Sequence, residues 1–440
     1  MRSIFTLRLR WSPNVFLPGI IVFSCFCSAI RIEIGTVGIS LSHVFIPLLL
    51  ALPFWNPAKR RLTLPIQHDN VSVFLYLVWA VSMISTILFS GLPTRSITGA
   101  INFTSFILLF ISMQWLLRKI NADQMVKTLL TSAKVSASIG LACLVLALIF
   151  NETNIGATFD HINQNNLSTI SKSIPSIRSL SIEPNLFGII TASVLCISVA
   201  IYFGQRSASM SNSIFLLGTT LVLSYTRSAF IGLIIAVFFM ALLANKKKIV
   251  LNVMGFVIIG ILVFVSLLAV LPTDSSFKKA ISYKFGSGMF DFAGETGIPR
   301  MVSFHESING FIKSPLIGNG IFSANNIFVN PHTLEVTGTA GPIGWLNGLF
   351  LQALHDSGIA GLFGWIFFFF FLVYKNYKMY NRLPLSFEKS VMLGFIGGNI
   401  VILVGSQASS VVWIAFPFVY WAINLALLRQ YRTKIDFTAI

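Results

Sequence analysis

Residues Gly358–Tyr374 read GIAGLFGWIFFFFFLVY, an uncharged apolar run that Lys375 follows directly. At a rise of ~1.5 Å per residue, a helix over this run nearly crosses the ~30 Å hydrocarbon core of a bilayer. The whole chain has the same character, since its mean hydropathy is +0.81 and charged residues make up only 10% of it. A soluble domain cannot bury that much apolar surface, so the sequence predicts a polytopic membrane protein.

Apolar runs of similar length recur from one end of the chain to the other. They are Val15–Ile30, Gly38–Phe54, Val71–Leu88, Thr98–Leu117, Val135–Phe150, Leu186–Tyr202, Ile214–Tyr225, Ser228–Leu243, Val250–Leu271, Gly358–Tyr374, Val391–Val404 and Val411–Leu428. The sequence therefore predicts an all-α fold with about 12 transmembrane helices, built as a single integral membrane domain over residues 1–440. The four cysteines lie inside apolar runs and are predicted to be packing residues without a disulfide framework.

Basic residues give this helix array an orientation. Most of the 31 lysines and arginines fall in alternate gaps between the runs, as in Lys59–Arg61, Lys246–Lys248 and Lys375–Lys389. Cytoplasmic loops carry such an excess, so both termini are predicted to be cytoplasmic. The net charge of +17 is thereby explained as a topology signal, and no nucleic-acid partner is expected.

Two long loops are predicted on the external side, at residues 151–183 and 272–345. Loops of this length without a fold of their own are usually functional or disordered. Within the second loop, Pro299 is predicted to open a helix over Arg300–Lys313. Pro342 is predicted to open an amphipathic helix over Ile343–Leu354 at the outer interface.

A first polar cluster, Arg178, Glu183 and Asn185, precedes the run that begins at Leu186. Pro184 suits the first helical turn, so the Glu183 carboxylate would lie at the positive end of the helix dipole. One interpretation is a capping acid beside an interfacial arginine. The other is an anion-binding site, which the density of the cluster favours.

Two further arginines are predicted on the same side. Arg227 lies in the short turn Ser224-Tyr-Thr-Arg227 between two apolar runs, where a charge has to snorkel or meet an anion. Arg300 begins the expected helix of the second loop, where a simple surface ion pair is the alternative. The planar guanidinium suits phosphate, so both arginines are candidate anion ligands.

His355 and Asp356 are adjacent just before the run at Gly358. Histidine is the side chain most easily poised as an acid or base near neutral pH, and a neighbouring carboxylate raises its basicity. His332 is a competitor, and an ordinary loop histidine is the alternative for both. The sequence has no Gly-rich phosphate loop and no metal-ligand set, so we expect chemistry with no metal and no cofactor.

In this order, the motifs resemble the O-antigen polymerase/O-antigen ligase superfamily of bacterial membrane glycosyltransferases over roughly residues 175–375. The matching pieces are Arg178…Glu183-Pro-Asn185, Ser224-Tyr-Thr-Arg227-Ser, Arg300 followed by Pro315-Leu-Ile-Gly-Asn-Gly320, and Leu351…Gly358-Ile-Ala-Gly-Leu362. Ligase-like members usually carry a His-Asn pair about ten residues before the Gly-x-x-Gly. Here that place reads Trp345-Leu-Asn347-Gly348, and the missing histidine favours a polymerase.

The resemblance implies metal-independent, inverting transfer of a glycan from a polyprenyl-diphosphate donor to a second lipid-linked repeat unit. It implies that Arg178, Arg227 and Arg300 bind the diphosphate, with Asn185 and Asn347 as further substrate ligands. His355, Glu183 and Asp356 are the implied catalytic candidates. The implied location is the external, periplasmic face of the bacterial inner membrane, with a chain-length regulator as a possible protein partner.

Two other functions are considered beside the polymerase. A ligase would transfer finished polymer to lipid A core. A flippase for lipid-linked oligosaccharides would place charges deep within several spans, whereas the polar residues here are predicted mainly in external loops.

Overall fold

The computed structural model describes residues 13–28, 31–34, 37–41, 43–46, 70–149, 177–181, 183–205, 208–245, 298–329, 336–344, 346–384, 386–409 and 411–438. The predicted span Val250–Leu271, His332 and most of both long loops lie outside the described residues.

Helices dominate the described residues. The α-helices are α1 (Pro13–Phe26), α2 (Asn70–Phe89), α3 (Pro93–Leu116), α4 (Ala122–Ile149), α5 (Pro184–Gly204), α6 (Ala208–Leu223), α7 (Arg227–Leu243), α8 (Ile298–Lys313), α9 (Leu349–Arg382), α10 (Phe387–Ser406) and α11 (Ala415–Thr438). Short 3-10 helices cover Leu117–Lys119 and Val411–Trp413. The described residues also form four strands, which pair as two antiparallel hairpins: β1 (Arg31–Ile34) with β2 (Val37–Ser40), and β3 (Ala324–Val329) with β4 (Val336–Gly344).

By length and composition, six described helices can cross a membrane, namely α2, α3, α4, α5, α9 and α10. Residues Leu17–Phe26, Ala208–Leu223 and Arg227–Leu243 form shorter apolar helices. The chain is thus an α-helical, multi-pass membrane protein, as the hydropathy pattern predicts.

The hairpins correct the start of two predicted helices. Strand β2 occupies Val37–Ser40, so the predicted span cannot begin as a helix at Gly38. Strand β4 runs to Gly344 and includes Pro342, so the predicted helix from Ile343 is wrong and the helix begins at Leu349. Residues 336–341 read VTGTAG, in which threonine and valine suit a strand, and pairing with β3 supplies their backbone hydrogen bonds.

Helix α4 corrects a third boundary. It begins at Ala122, whereas the apolar run predicted a start at Val135. Asp123, Lys127 and Lys134 interrupt the apolar pattern, but an α-helix accepts charges in its first turns when these can reach the membrane surface. Helix α8, by contrast, lies where the sequence predicts it, over Ile298–Lys313.

Helix α10 is the centre of the packing and runs antiparallel to α5 and α7. A Cβ on Gly405 would lie 2.6 Å from Ile189, and one on Gly394 would lie 2.6 Å from Ile197, so α5 and α10 approach through glycine. Small residues allow such close approach in membrane helices, where dispersion contacts replace the hydrophobic effect.

The helix directions bring the polar motifs to one end of the bundle, which we call the Pro184 end. Helices α5, α7 and α9 begin there, and α10 ends there because its Gly405 packs on Ile189 of α5. At the opposite end, Arg429 of α11 donates to Gln114 of α3, and Gln430 donates to the Ile120 carbonyl at 2.6 Å.

Three buried asparagines join α9, α10 and α11 inside the bundle. Asn424 Nδ2 donates to Asn376 Oδ1 at 2.7 Å, and Asn424 Oδ1 accepts from Asn376 Nδ2 at 2.8 Å and from Asn399 Nδ2 at 3.2 Å. Interhelical hydrogen bonds of this kind contribute ~0.6 to ~2 kcal/mol each. They fix the relative register of the helices that place the polar motifs.

Candidate active site

Helix α9 is broken at Gly358, two residues after Asp356 and three after His355. Gly358 has φ 61° and ψ −158°, which interrupts the helical backbone hydrogen bonds. The segment Pro315–Gly320 takes their place: the Ile359 N–H donates to the Pro315 carbonyl at 2.9 Å, and the Gly320 N–H donates to the Asp356 carbonyl at 3.0 Å. The Pro-Leu-Ile-Gly-Asn-Gly motif therefore has a structural role, since it satisfies the backbone at the break.

Glycine is required on both sides of this contact. A Cβ on Gly318 would lie 2.3 Å from the Asp356 carbonyl carbon, and one on Gly358 would lie 2.6 Å from that of Leu316. Both residues also have positive φ, a conformation that other residues rarely adopt. The two backbones can touch only because neither position has a side chain.

His355 and Asp356 form a buried pair at this break. His355 Nδ1 lies 2.8 Å from Asp356 Oδ1, and the two residues are only 2% and 3% exposed. An ionised carboxylate only accepts hydrogen bonds, so the proton on Nδ1 leaves Nε2 as the free basic nitrogen. The arrangement has the geometry of an imidazole oriented by a carboxylate.

The other oxygen of Asp356 is held from two directions. Gln352, one turn earlier on α9, donates its side-chain N–H to Oδ2, and the Phe322 N–H donates to the same atom at 3.4 Å. Gln352 in turn accepts the Leu346 N–H through Oε1. Donors therefore surround the carboxylate, which favours its role as the residue that orients His355.

Helix α8 covers the histidine ring. A Cβ on Gly310 would lie 2.3 Å from Cδ2 and 2.9 Å from Nε2 of His355. Asn319 stabilises this contact between α8 and α9, because its Nδ2 donates to the Gly310 carbonyl at 2.8 Å and to the His355 carbonyl at 3.1 Å. Nε2 thus faces α8 in this structure.

Arg178, Glu183 and Arg227 lie on two segments that contact each other. The Ile177 N–H donates to the Leu223 carbonyl at 3.0 Å, and the Thr226 hydroxyl donates to the Pro184 carbonyl at 2.9 Å. Gly188 allows the approach, since its Cβ would lie 2.4 Å from the Thr226 hydroxyl oxygen. The structure thus brings together the two arginine motifs that the sequence presents 49 positions apart.

The electrostatics of this first group reflect partial removal of solvent. Arg178 is half-buried, and burial lowers its guanidinium pKa. Glu183 is exposed as a residue, yet desolvation of its carboxylate by the surrounding protein raises its pKa. Asn185 is exposed in the first turn of α5, so it is available to a ligand at the Pro184 end.

Arg300 and Asn347 form part of a second group with the histidine pair. Arg300 is exposed in the first turn of α8, and one turn later the Ser303 hydroxyl accepts the Asn347 N–H at 2.8 Å. The Ser307 hydroxyl donates to the Leu351 carbonyl at 2.9 Å, so α8 runs alongside the start of α9.

The C-terminal end of α10 lies between the two groups. Its Gly405 packs on Ile189 of α5, beside the first group. The Gln407 side chain accepts the Phe350 N–H at 3.4 Å, beside the second group. All eight predicted site residues therefore lie at the Pro184 end, in two groups on either side of one helix terminus.

The sequence analysis missed Gln352 and Glu306 as site residues. Gln352 is four residues before Asp356, a spacing that puts both side chains on one helix face, so the pattern contained a signal. Glu306 is buried on the face of α8 that packs on α9. Its burial depends on α9 covering α8, which no local pattern reveals.

A small cavity of about 20 Å³ adjoins Asp356, and its lining is mainly aliphatic and aromatic, with Ser82, Gln352 and Ser357 as the other polar residues around it. A space of that size holds one water molecule. In the part of the chain that the structure describes, no group of three or more His, Cys, Asp or Glu residues could hold a metal ion.

Residues 212–366 match the family model described as O-antigen ligase. The match includes Arg227, Arg300, His355 and Asp356, and it ends within α9. It confirms the resemblance to the O-antigen polymerase/ligase superfamily over this part of the chain. No curated protein matches the chain.

Proposed function

We propose that this protein is a membrane glycosyltransferase that polymerises polyprenyl-diphosphate-linked oligosaccharide repeat units. The observation that supports this most directly is the His355–Asp356 pair, buried at the bundle end that also holds Arg178 and Arg227. The pair and Arg227 also lie within the segment that matches the O-antigen ligase family. The proposal includes the external face of the bacterial inner membrane as the site of reaction.

In the proposed reaction, a hydroxyl of the acceptor unit attacks the anomeric carbon of the donor glycan. A carbon–oxygen bond forms to the acceptor while the bond from the anomeric carbon to the diphosphate oxygen breaks, with inversion. The leaving diphosphate takes the electron pair, and a base takes the hydroxyl proton. No metal has a role in the proposal, because arginine can stabilise the developing negative charge.

Each predicted residue has a place in this scheme. Arg178, Arg227 and Arg300 bind the diphosphate, and Asn185 and Asn347 bind sugar hydroxyls. His355 Nε2 is the proposed base, with Asp356 as its orienting carboxylate. Glu183 is the alternative base, because it is exposed at the same end and desolvation of its carboxylate raises its pKa.

A ligase that transfers finished polymer to lipid A core is the second candidate, because the matching family model is described as O-antigen ligase. Both enzymes would use the same donor and the same leaving group, so the residues named above serve either reaction. A chain-length regulator would be a protein partner of the polymerase only.

Deletion of the gene, followed by electrophoresis of surface glycan and lipid-linked glycan, tests the proposal. Loss of a polymerase leaves lipid A core capped with one repeat unit, whereas loss of a ligase leaves uncapped core and accumulated lipid-linked polymer. Unchanged glycan in both pools would contradict both functions.

Complementation with arginine variants tests the diphosphate site. Alanine at Arg178, Arg227 or Arg300 is expected to abolish or severely reduce polymer at normal protein level. Lysine keeps the charge but loses the bidentate fork, so it is expected to restore activity only in part. Arg432→Ala, an exposed arginine at the opposite end, is the matched control. Full chain length with alanine at two of the three sites would contradict the role of these arginines.

A further inference from the structure

Helix α8 has its polar and apolar faces reversed relative to a water-soluble helix. The face packed on α9 contains Ser303, Glu306, Ser307 and Gly310, all buried. The opposite face presents mainly large apolar side chains: Phe304 is 50% exposed, Ile308 37% and Ile312 71%, and Leu316 just beyond the helix is 69% exposed. The half-buried His305 and the exposed Asn309 are the polar residues on this face.

Such a face is unfavourable in water. Single exposed apolar residues are common on protein surfaces, whereas a contiguous row of large ones indicates a surface that contacts something other than water. Polar residues that face the protein interior and apolar residues that face outward are the pattern of a helix with lipid as its solvent.

The depth of α8 agrees with lipid contact. The Leu316 carbonyl accepts the Ala360 N–H of α9 at 3.2 Å. The neighbours of Ala360 along α9 pack within the span Val71–Phe89: the Ser357 hydroxyl lies 2.7 Å from that of Ser82, and a Cβ on Gly364 would lie 2.5 Å from Val78. Leu316 therefore lies level with a membrane-spanning segment, two to three turns in from the end of that helix.

The apolar face is also continuous with the lipid-facing side of α9. Phe363, Phe367 and Phe370 are exposed on α9, and the first of them is one turn beyond Ala360. Leu316 and Phe363 thus lie within about one turn of the same position on α9, Ala360.

We propose that α8 is seated in the membrane, with Phe304, Ile308, Ile312 and Leu316 in contact with lipid acyl chains. Lys313, exposed at the end of α8, can extend its ammonium along its apolar stem toward the headgroup region. The second long loop is thereby a membrane-embedded element in part, and the bilayer holds the polar face of α8, including Gly310, against His355. The inference does not rest on the proposed function.

Nitroxide spin labels test this placement in the full chain, reconstituted in phosphatidylcholine/phosphatidylglycerol liposomes without isoprenoid lipid. Cysteine replaces Phe304, Ile308, Ile312 or Leu316, all exposed positions where a label disturbs little packing. Phe367→Cys is the lipid reference and Thr433→Cys, exposed at the opposite end, is the water reference. The wild-type chain, whose described cysteines are free and buried, provides the blank.

All four labels are expected to resemble Phe367→Cys, with relaxation by oxygen several-fold stronger than by a water-soluble nickel chelate. The ratio is expected to rise from position 304 to position 316, because the helix enters the membrane toward Leu316. Labels at 308 and 312 that respond to nickel as Thr433→Cys does would overturn the proposal. Labels that respond to neither reagent would also overturn it, since protein would then cover this face. Wild-type elution of each variant in size-exclusion chromatography confirms that it is folded.

Discussion

The side-chain amide of Gln352 links the second long loop to Asp356. Its nitrogen donates to Asp356 Oδ2, and its oxygen accepts the backbone N–H of Leu346. The two bonds fix which way the amide points, and Asp356 in turn holds the ring of His355 at 2.8 Å. A single residue outside the predicted site thereby sets the geometry of the candidate catalytic pair.

Gln352→Leu is expected to lower both stability and glycan transfer. The substitution removes the acceptor of the Leu346 N–H and one of the two donors to Asp356 Oδ2. A buried group left unsatisfied costs ~1–3 kcal/mol. The melting temperature in detergent and the glycan ladder of complemented cells measure the two effects. Gln352→Glu keeps an acceptor for the Leu346 N–H but places a second carboxylate against Asp356. This variant therefore tests the loss of the bond to Asp356 alone. A leucine variant with wild-type melting and a full ladder would show that the link is unimportant.

Gly318→Ala is expected to destabilise the protein by on the order of 3 kcal/mol, because the new methyl group would overlap the Asp356 backbone and the residue has φ +76°. Gly218→Ala on α6 is the matched control, since a Cβ there meets nothing within 4 Å. In a helix interior that control is expected to be neutral or stabilising by up to ~1 kcal/mol. Thermal unfolding of both variants checks the difference, and equal melting temperatures would contradict the close contact at the break in α9.

Asn424→Leu is expected to destabilise the bundle more than Asn399→Leu. Asn424 makes three hydrogen bonds to the other two asparagines, so its loss leaves buried amides unpaired at ~1–3 kcal/mol. Asn399 makes one bond of 3.2 Å, and its Oδ1 has no hydrogen-bond partner among the described residues. Its removal is expected to change stability by less than ~1 kcal/mol. Comparison of the two unfolding curves tests the ranking, and the reverse order would be inconsistent with this network.

Thr94→Cys and Thr433→Cys form a matched pair for the predicted topology. Both threonines are exposed, the first at the start of α3 and the second near the end of α11, at opposite ends of the bundle. The charge bias predicts that an impermeant maleimide labels position 94 in intact spheroplasts and position 433 only after lysis. Labelling in the opposite order would invert the bundle and place the candidate site in the cytoplasm.

The sequence by itself determined the class of protein and the approximate positions of most helices. Hydropathy is a local property, and a run such as Gly358–Tyr374 has few alternatives to a membrane helix because lipid offers no partner for free backbone groups. The start of α8 beside Pro299 and the clustering of Arg178 with Glu183 are local in the same way. The sequence erred where pairing with a second strand decided the outcome, as in β4, whose partner β3 begins 12 residues earlier.

Only the tertiary structure decided how the motifs meet. The pairing of Pro315–Gly320 with the break at Gly358 depends on two backbones that approach within van der Waals distance. A glycine in the sequence does not indicate which other segment of the chain packs against it. The burial of His355 likewise depends on α8 lying over it. That the apolar face of α8 points outward became clear only from the packing of its polar face on α9. Helical periodicity shows that a helix has a polar and an apolar face, but it does not show whether water, lipid or protein covers each face.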